Sequence, residues 1–224
     1  MIDYTLIRSN RKTAAIYVRS DGVEVRAPMR MPGHVIDRFV LSKEQWIQDK
    51  IAIMRGRLED RESFALDYGS VILYIGKLFP IVADSSGFGF DGTCFRLPPD
   101  LSPDQIKSAC IGIYRKLAED VIGPRTVEFA DLMSLSFASV TITGAQKQWG
   151  SCTAKKRLNF SWRLVLADSD LIDYVIVHEL AHTVELNHSA RFWAIVEGVF
   201  PDYRESKKRL RSLHERLANE NWSE

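Results

Sequence analysis

Apolar and polar positions alternate with a period of two through Ala14-Ala15-Ile16-Tyr17-Val18-Arg19 and again through Val23-Glu24-Val25-Arg26-Ala27-Pro28. Ser20-Asp21-Gly22 lies between them, and Asp-Gly flanked by β-rich runs predicts a hairpin. The period then lengthens. Ile36, Phe39, Val40, Trp46, Ile47 and Ile51 recur at helical spacing and predict a single helix from about Gly33 to Asp60. Strands are expected again at Ser70 to Ile75 and Leu78 to Val82 around a Gly76-Lys77 turn, with a loop or hairpin tip at Ser85 to Gly92. Leu97-Pro98-Pro99 breaks regular structure and offers a domain boundary.

Beyond it, Ser102 and Pro103 read as the cap and first residue of a helix reaching Ile122, and Gly123-Pro124 predicts its end. A second helix is expected from Pro124 to Leu135. Ser139 to Thr143, Gln146 to Cys152 and Leu158 to Leu166 read as β segments. Asp168-Ser169-Asp170 supplies caps for a helix that is apolar on nearly every side through Leu171, Ile172, Val175, Ile176, Leu180, Ala181 and Val184. Two further helices should span Ser189 to Val199 and Pro201 to about Ala218. The fold class is therefore α+β, with a β-rich region carrying one helix over residues 1–97 and a helix-plus-sheet domain over 98–224.

Composition narrows the classes without naming a function. The 224 residues are 46% apolar and 26% charged, with a formal net charge of +1, so a global basic field for nucleic acid is absent. Cys94, Cys110 and Cys152 are odd in number and widely spaced, which argues against a disulfide framework and for a reducing compartment. No basic-then-apolar leader is visible at Met1 to Thr5, and no apolar run, Tyr174 to Val177 included, approaches the about 20 residues of a membrane span. The expectation is a cytoplasmic protein with no membrane contact.

Chemistry concentrates in one place, where three of the five histidines fall within eleven residues. His178-Glu179-Leu180-Ala181-His182 is an HExxH pattern. On a helix, residues four apart are offset by about 40°, so both imidazoles leave one face, while Glu179 stays close enough to reach a metal-bound water without being a ligand. Zinc needs a third protein ligand and an open position. His188 is the first candidate. A straight helix would carry it about 15 Å from His178, so the helix must end first, with Asn187 as left-handed terminator and Ser189 as the next cap. Two alternatives to His188 stay open: Glu197 as third ligand, or Cys152 as a fourth that closes the site. The expected cofactor is one Zn2+ per chain. A buried helix holding two imidazoles and a carboxylate without such a partner would be costly.

These residues also carry a resemblance. The HELAH segment with Asn187-His188-Ser189 and Phe192-Trp193, the upstream Trp149-Gly150-Ser151-Cys152, the stretch Leu158 to Leu164 and the tail Phe200-Pro201-Asp202-Tyr203 resemble the YgjP-like metal-dependent hydrolases. The likeness is specific across about 140–210 and extends to Ser9-Asn10-Arg11-Lys12. More distantly the chain is similar to the SprT-like and WLM-type proteases of the zincin fold. The resemblance implies a zincin-like catalytic domain, His178, His182 and His188 as ligands, Glu179 as general base, and an edge strand able to pair with an extended substrate. The metzincins share the ligand spacing, but Glu185 stands here where they carry glycine, so their specificity does not transfer.

The functional expectation is a zinc metallohydrolase, specifically a metallopeptidase. Hydrolysis of another bond, such as a nucleotide phosphoanhydride, and a zinc-stabilised binding module remain alternatives. The substrate is thus a polypeptide or a small molecule. Trp149, Ser151 and Arg191 are candidate substrate contacts, although Trp149, Trp162 and Trp193 also read as packing around the site. The final helix, with Arg204, Lys207, Lys208, Arg209, Arg211 and Arg216, reads first as a solvated face. Nucleic-acid binding is its alternative, marked by strong salt dependence.

Overall fold

The computed structural model describes residues 2–19 and 21–223; Met1, Ser20 and Glu224 lie outside them, Ser20 falling within the expected hairpin turn. The chain divides into two compact units, 1–64 with 218–221 and 65–217 with 222–224.

In the first unit, β1 (Thr5–Ser9), β2 (Ala15–Arg19) and β3 (Gly22–Pro28) form a sheet in the order β1-β3-β2. The alternation read from the sequence makes β2 and β3 antiparallel, while β1 joins β3 in parallel. Val23, Val25 and Ala27 of β3 point inward against Ile36 and Val40 of α1 (Gly33–Ser42) and Ile47 of α2 (Glu44–Ser63). The single helix expected over this stretch is therefore two, broken at Lys43, whose φ of −112° and ψ of 11° leave the helical basin. The apolar spacing runs through the break and conceals it.

The second unit holds two sheets. β4 (Val71–Tyr74), β5 (Lys77–Ala83), β6 (Gly89–Phe90) and β7 (Phe95–Leu97) take the order β4-β5-β7-β6. β8 (Ser139–Thr143), β9 (Gly150–Cys152) and β10 (Arg157–Ser161) take the order β8-β10-β9, with β10 parallel to β8 and antiparallel to β9. β9 is thus an edge strand, and α4 (Ser169–Ala181) packs beside it. A long α3 (Pro103–Leu132) supports α4 from behind. It opens on a capping box between Ser102 and Gln105. The helix expected to stop at Gly123-Pro124 continues through it. Proline there removes only the donor to the carbonyl of Asp120, which lies on an exposed stretch and can bond water. Ile122, Thr126 and Ala130 keep one face buried across the proline.

Behind β10 the expected strand ends at Ser161, and Trp162–Leu166 is a short 3₁₀ helix. The Ser161 hydroxyl accepts from the Arg163 amide, which starts the turn. All five of its residues are buried, so an unbroken apolar run could not distinguish it from strand. Trp162 stacks on Tyr114 with ring centroids 5.4 Å apart, and Trp222 packs edge-on against both. The molecule is mixed α and β, with a β-rich N-terminal region, as the sequence implies. Among the described residues no helix is long and apolar enough to cross a membrane.

Candidate metal centre

α4 brings His178 and Glu179 into the interior because every apolar neighbour on it is buried, from Leu171 and Ile172 through Val175, Ile176 and Val177 to Leu180. The helix ends at Ala181, earlier than the expected turn near Asn187. His182 is its C-cap, and Asn187 does not take a positive φ. Two side chains close the end: the Thr183 hydroxyl donates to the Leu180 carbonyl at 2.8 Å, and the His182 Nδ1 lies 3.0 Å from the Glu185 carbonyl. The chain turns back there and enters α5 (Ala190–Glu197) through Ser189, whose hydroxyl accepts from the Phe192 amide, as the sequence predicts.

This reversal returns His188 to the other two imidazoles. The donor atoms of His178, His182 and His188 all lie within 4.8 Å of one another, the one such group of three or more His, Cys, Asp or Glu among the described residues. Glu197 and Cys152 are not part of it. Phe192, fully buried, packs against all three rings at centroid distances of 4.9, 4.4 and 4.8 Å. Trp193 stacks on His188 at 5.5 Å and on Tyr203 at 4.7 Å.

The donor set fits a divalent ion. A carbonyl only accepts, so the proton of His182 sits on Nδ1 and Nε2 keeps its lone pair. Nε2 of His178 and Nε2 of His188 are 3.0 Å apart. Two lone pairs cannot face each other at that distance without a cation or a shared proton between them. Burial, with His182, His188 and Lys207 nearby, holds the His178 imidazole down at about 3, and burial lowers His188 as well. A second proton on either ring is therefore disfavoured, and the two nitrogens share one N–H or face a common cation. Tetrahedral zinc with bonds of about 2.05 Å separates its nitrogen ligands by about 3.3 Å, near the 3.0 Å between the Nε2 atoms of His178 and His188.

Glu179 is only 5% exposed, and burial pushes its carboxyl up to about 8. It lies against Gly150 of β9: a Cβ built there would stand 2.7 Å from Glu179 Cγ and 2.8 Å from its Oε1. A cavity of about 380 Å³ opens in front, lined by His178, Glu179, Tyr174, Val175, Trp149, Gly150, Leu210 and the polar groups Lys147, Lys207, Arg211 and His214. Of the candidate substrate contacts, Trp149 lines this cavity, and Ser151 and Arg191 do not. Ser151 accepts a hydrogen bond from Asn159, and Arg191 is exposed at the start of α5. Sequence reading missed Gly150, whose role is room rather than chemistry, and Lys207 and Arg211, which reach the cavity from α6 (Tyr203–Leu217).

Among solved structures the chain is similar to the metallopeptidase zymogen abylysin of Pyrococcus abyssi, at 22% identity and a TM-score of 0.39, covering 41% of this chain and 92% of that one. It is similar to the metallopeptidase zymogen jannalysin of Methanocaldococcus jannaschii, at 21% identity and a TM-score of 0.38, covering 41% and 94%. No curated protein matches. The model of the YgjP-like metallopeptidase domain matches residues 12–213, nearly the whole chain and all of the histidine cluster. The chain belongs to the YgjP-like metallopeptidase-domain family, a family of metal-dependent peptidases.

Proposed function

We propose that this chain is a zinc peptidase in which His178, His182 and His188 hold one ion and Glu179 is the general base. The observation that carries the reading is the convergence of three imidazole donors, one of which, His178, lines a cavity together with the buried carboxyl of Glu179. When bound, zinc polarises the scissile carbonyl and makes a water acidic near neutral pH. Glu179, buried beside the histidine cluster, takes the proton of the attacking water in its carboxylate form and hands it to the leaving amine. Gly150 leaves the space that holds this carboxylate in place.

β9 receives the substrate. The Ser161 amide donates to the Trp149 carbonyl and the Thr153 amide to the Arg157 carbonyl. By antiparallel alternation the N–H and C=O of Gly150 and Cys152 are therefore directed away from β10. An extended peptide adds to that edge, with Trp149 as a wall of the cleft.

The test combines metal analysis with turnover. Wild-type protein purified without an affinity tag should carry about one zinc per chain, and His188→Ala clearly less. Glu179→Gln should keep its zinc and lose hydrolysis of unstructured polypeptide. A wild type that takes up no metal on reconstitution, or a Glu179→Gln variant as active as wild type, would overturn the proposal.

A further inference from the structure

The cations of α6 fall into two sets. Arg209 bonds Asp168 and Asp170, and Lys208 pairs with Glu205. Lys207 and Arg211, one turn apart, line the cavity instead, and Lys147 lines it as well. None of these three has an acidic partner among the described residues; Lys207 Nζ rests 4.5 Å over the Trp193 ring, next to His188. The one carboxylate lining the cavity is Glu179, which is committed to the base role in the reading above.

Three cations without acidic partners around a cleft that reaches His178 and Glu179 form a field of one sign at the point where substrate must lie. Cavity walls of Trp149, Tyr174, Val175 and Leu210 keep water away from part of it and strengthen that field. A neutral or basic peptide would gain nothing from it. A carboxylate would displace weakly held counter-ions and pair with fixed charges.

Resting on the peptidase reading, we infer that the cavity lined by Lys147, Lys207 and Arg211 is a specificity subsite for a carboxylate of the peptide, either an Asp or Glu side chain next to the scissile bond or the free C-terminus. Exposed pairs each contribute roughly two- to fivefold, so three together favour an acidic peptide over its neutral isostere by on the order of tenfold at low salt. The preference shrinks as salt screens it.

The experiment measures binding and cleavage separately on full-length, zinc-loaded protein. Binding is read by calorimetry on Glu179→Gln with matched peptides carrying Glu, Gln or Lys at successive positions, each with a free or an amidated C-terminus. Cleavage of the same set is read on wild type. Expected is about tenfold tighter binding of one carboxylate-bearing series, with the free-acid and amide arms showing which carboxylate is used. In Lys207→Gln/Arg211→Gln that ratio should fall toward one, whereas Lys208→Gln should leave it unchanged. Peptides that are cleaved with no charge preference would overturn the subsite and leave the peptidase standing. Acid-selective binding without cleavage of any peptide would keep the subsite and overturn the peptidase. A preference that survives the double substitution would also sink the inference.

Discussion

Gly150→Ala isolates the positioning of the Glu179 carboxyl, the proposed base, from every other feature of the site. The added Cβ would stand 2.7 Å from Glu179 Cγ, 2.8 Å from Oε1 and 3.0 Å from Cδ, whereas ordinary contact starts at 3.4 Å. The carboxylate arm must therefore retreat by about 0.7 Å, and displacements of about 1 Å at a reacting group cost on the order of 10²-fold in rate. We expect kcat on an unstructured polypeptide to fall by roughly 30- to 100-fold. Gly150 needs no positive φ. Alanine also restricts the unfolded chain, so the thermal midpoint should move by no more than a few degrees. Zinc content should stay at the wild-type value, since the three atoms nearest the new methyl group all belong to Glu179. The decisive comparison is with Glu179→Ala, which removes the three atoms nearest the methyl group. Adding Gly150→Ala to that variant should cost no further activity. A single Gly150→Ala protein within threefold of wild type would refute the reasoning, as would a loss that persists undiminished in the Glu179→Ala background.

Phe192→Ala removes a fully buried ring shared by three imidazoles. It should cost about 3 to 5 kcal/mol in denaturant unfolding and weaken zinc retention against a competing chelator. Gly76→Ala forces a side chain into a φ of +71° and places its Cβ 1.8 Å from Asp168 Oδ1, against the ion pair that ties α4 to Arg209. A loss of at least about 1 to 2 kcal/mol is expected, read by thermal melting. Hydrogen bonds from the Ser86 hydroxyl and amide, with Arg96, hold the Asp84 carboxyl down at about 2 from an ordinary 3.8. A depressed folded-state value gives stability that is present above the unfolded value and lost as pH falls through the folded one. The gap in denaturant midpoint between wild type and Asp84→Asn, measured without metal, should thus be constant above pH about 4 and close toward pH 2. A gap that widens on acidification would contradict the sign.

The sequence made the histidine cluster legible because its three members sit within eleven residues and because helix geometry converts their spacing into direction. The Ser189 cap was readable for the same local reason. What stayed hidden depends on tertiary placement. Gly150 is an ordinary strand glycine until Glu179 is seen against it, and Lys207 and Arg211 look like a solvated face until α6 is laid along the cavity. Pro124 and the 162–166 turn show the converse, where local rules are overridden by buried surface on α3 and around Trp162.

The helix end shows how closely fold and chemistry are joined. A glycine or a left-handed asparagine is the usual way to stop a helix between two ligands. This chain uses neither, since no residue from His182 to His188 has a positive φ. Instead the second histidine stops the helix itself: His182 is the cap, and its Nδ1 donates to the Glu185 carbonyl as the chain reverses. That one hydrogen bond fixes the tautomer that frees Nε2 for a metal, and it tightens the turn that delivers His188. Glu185 contributes only its backbone oxygen to this bond, so a side chain is tolerated where the metzincins need glycine, and the sharper bend sits at His182 rather than Asn187. A change that moved the proton of His182 to Nε2 would therefore weaken the turn and the metal site together.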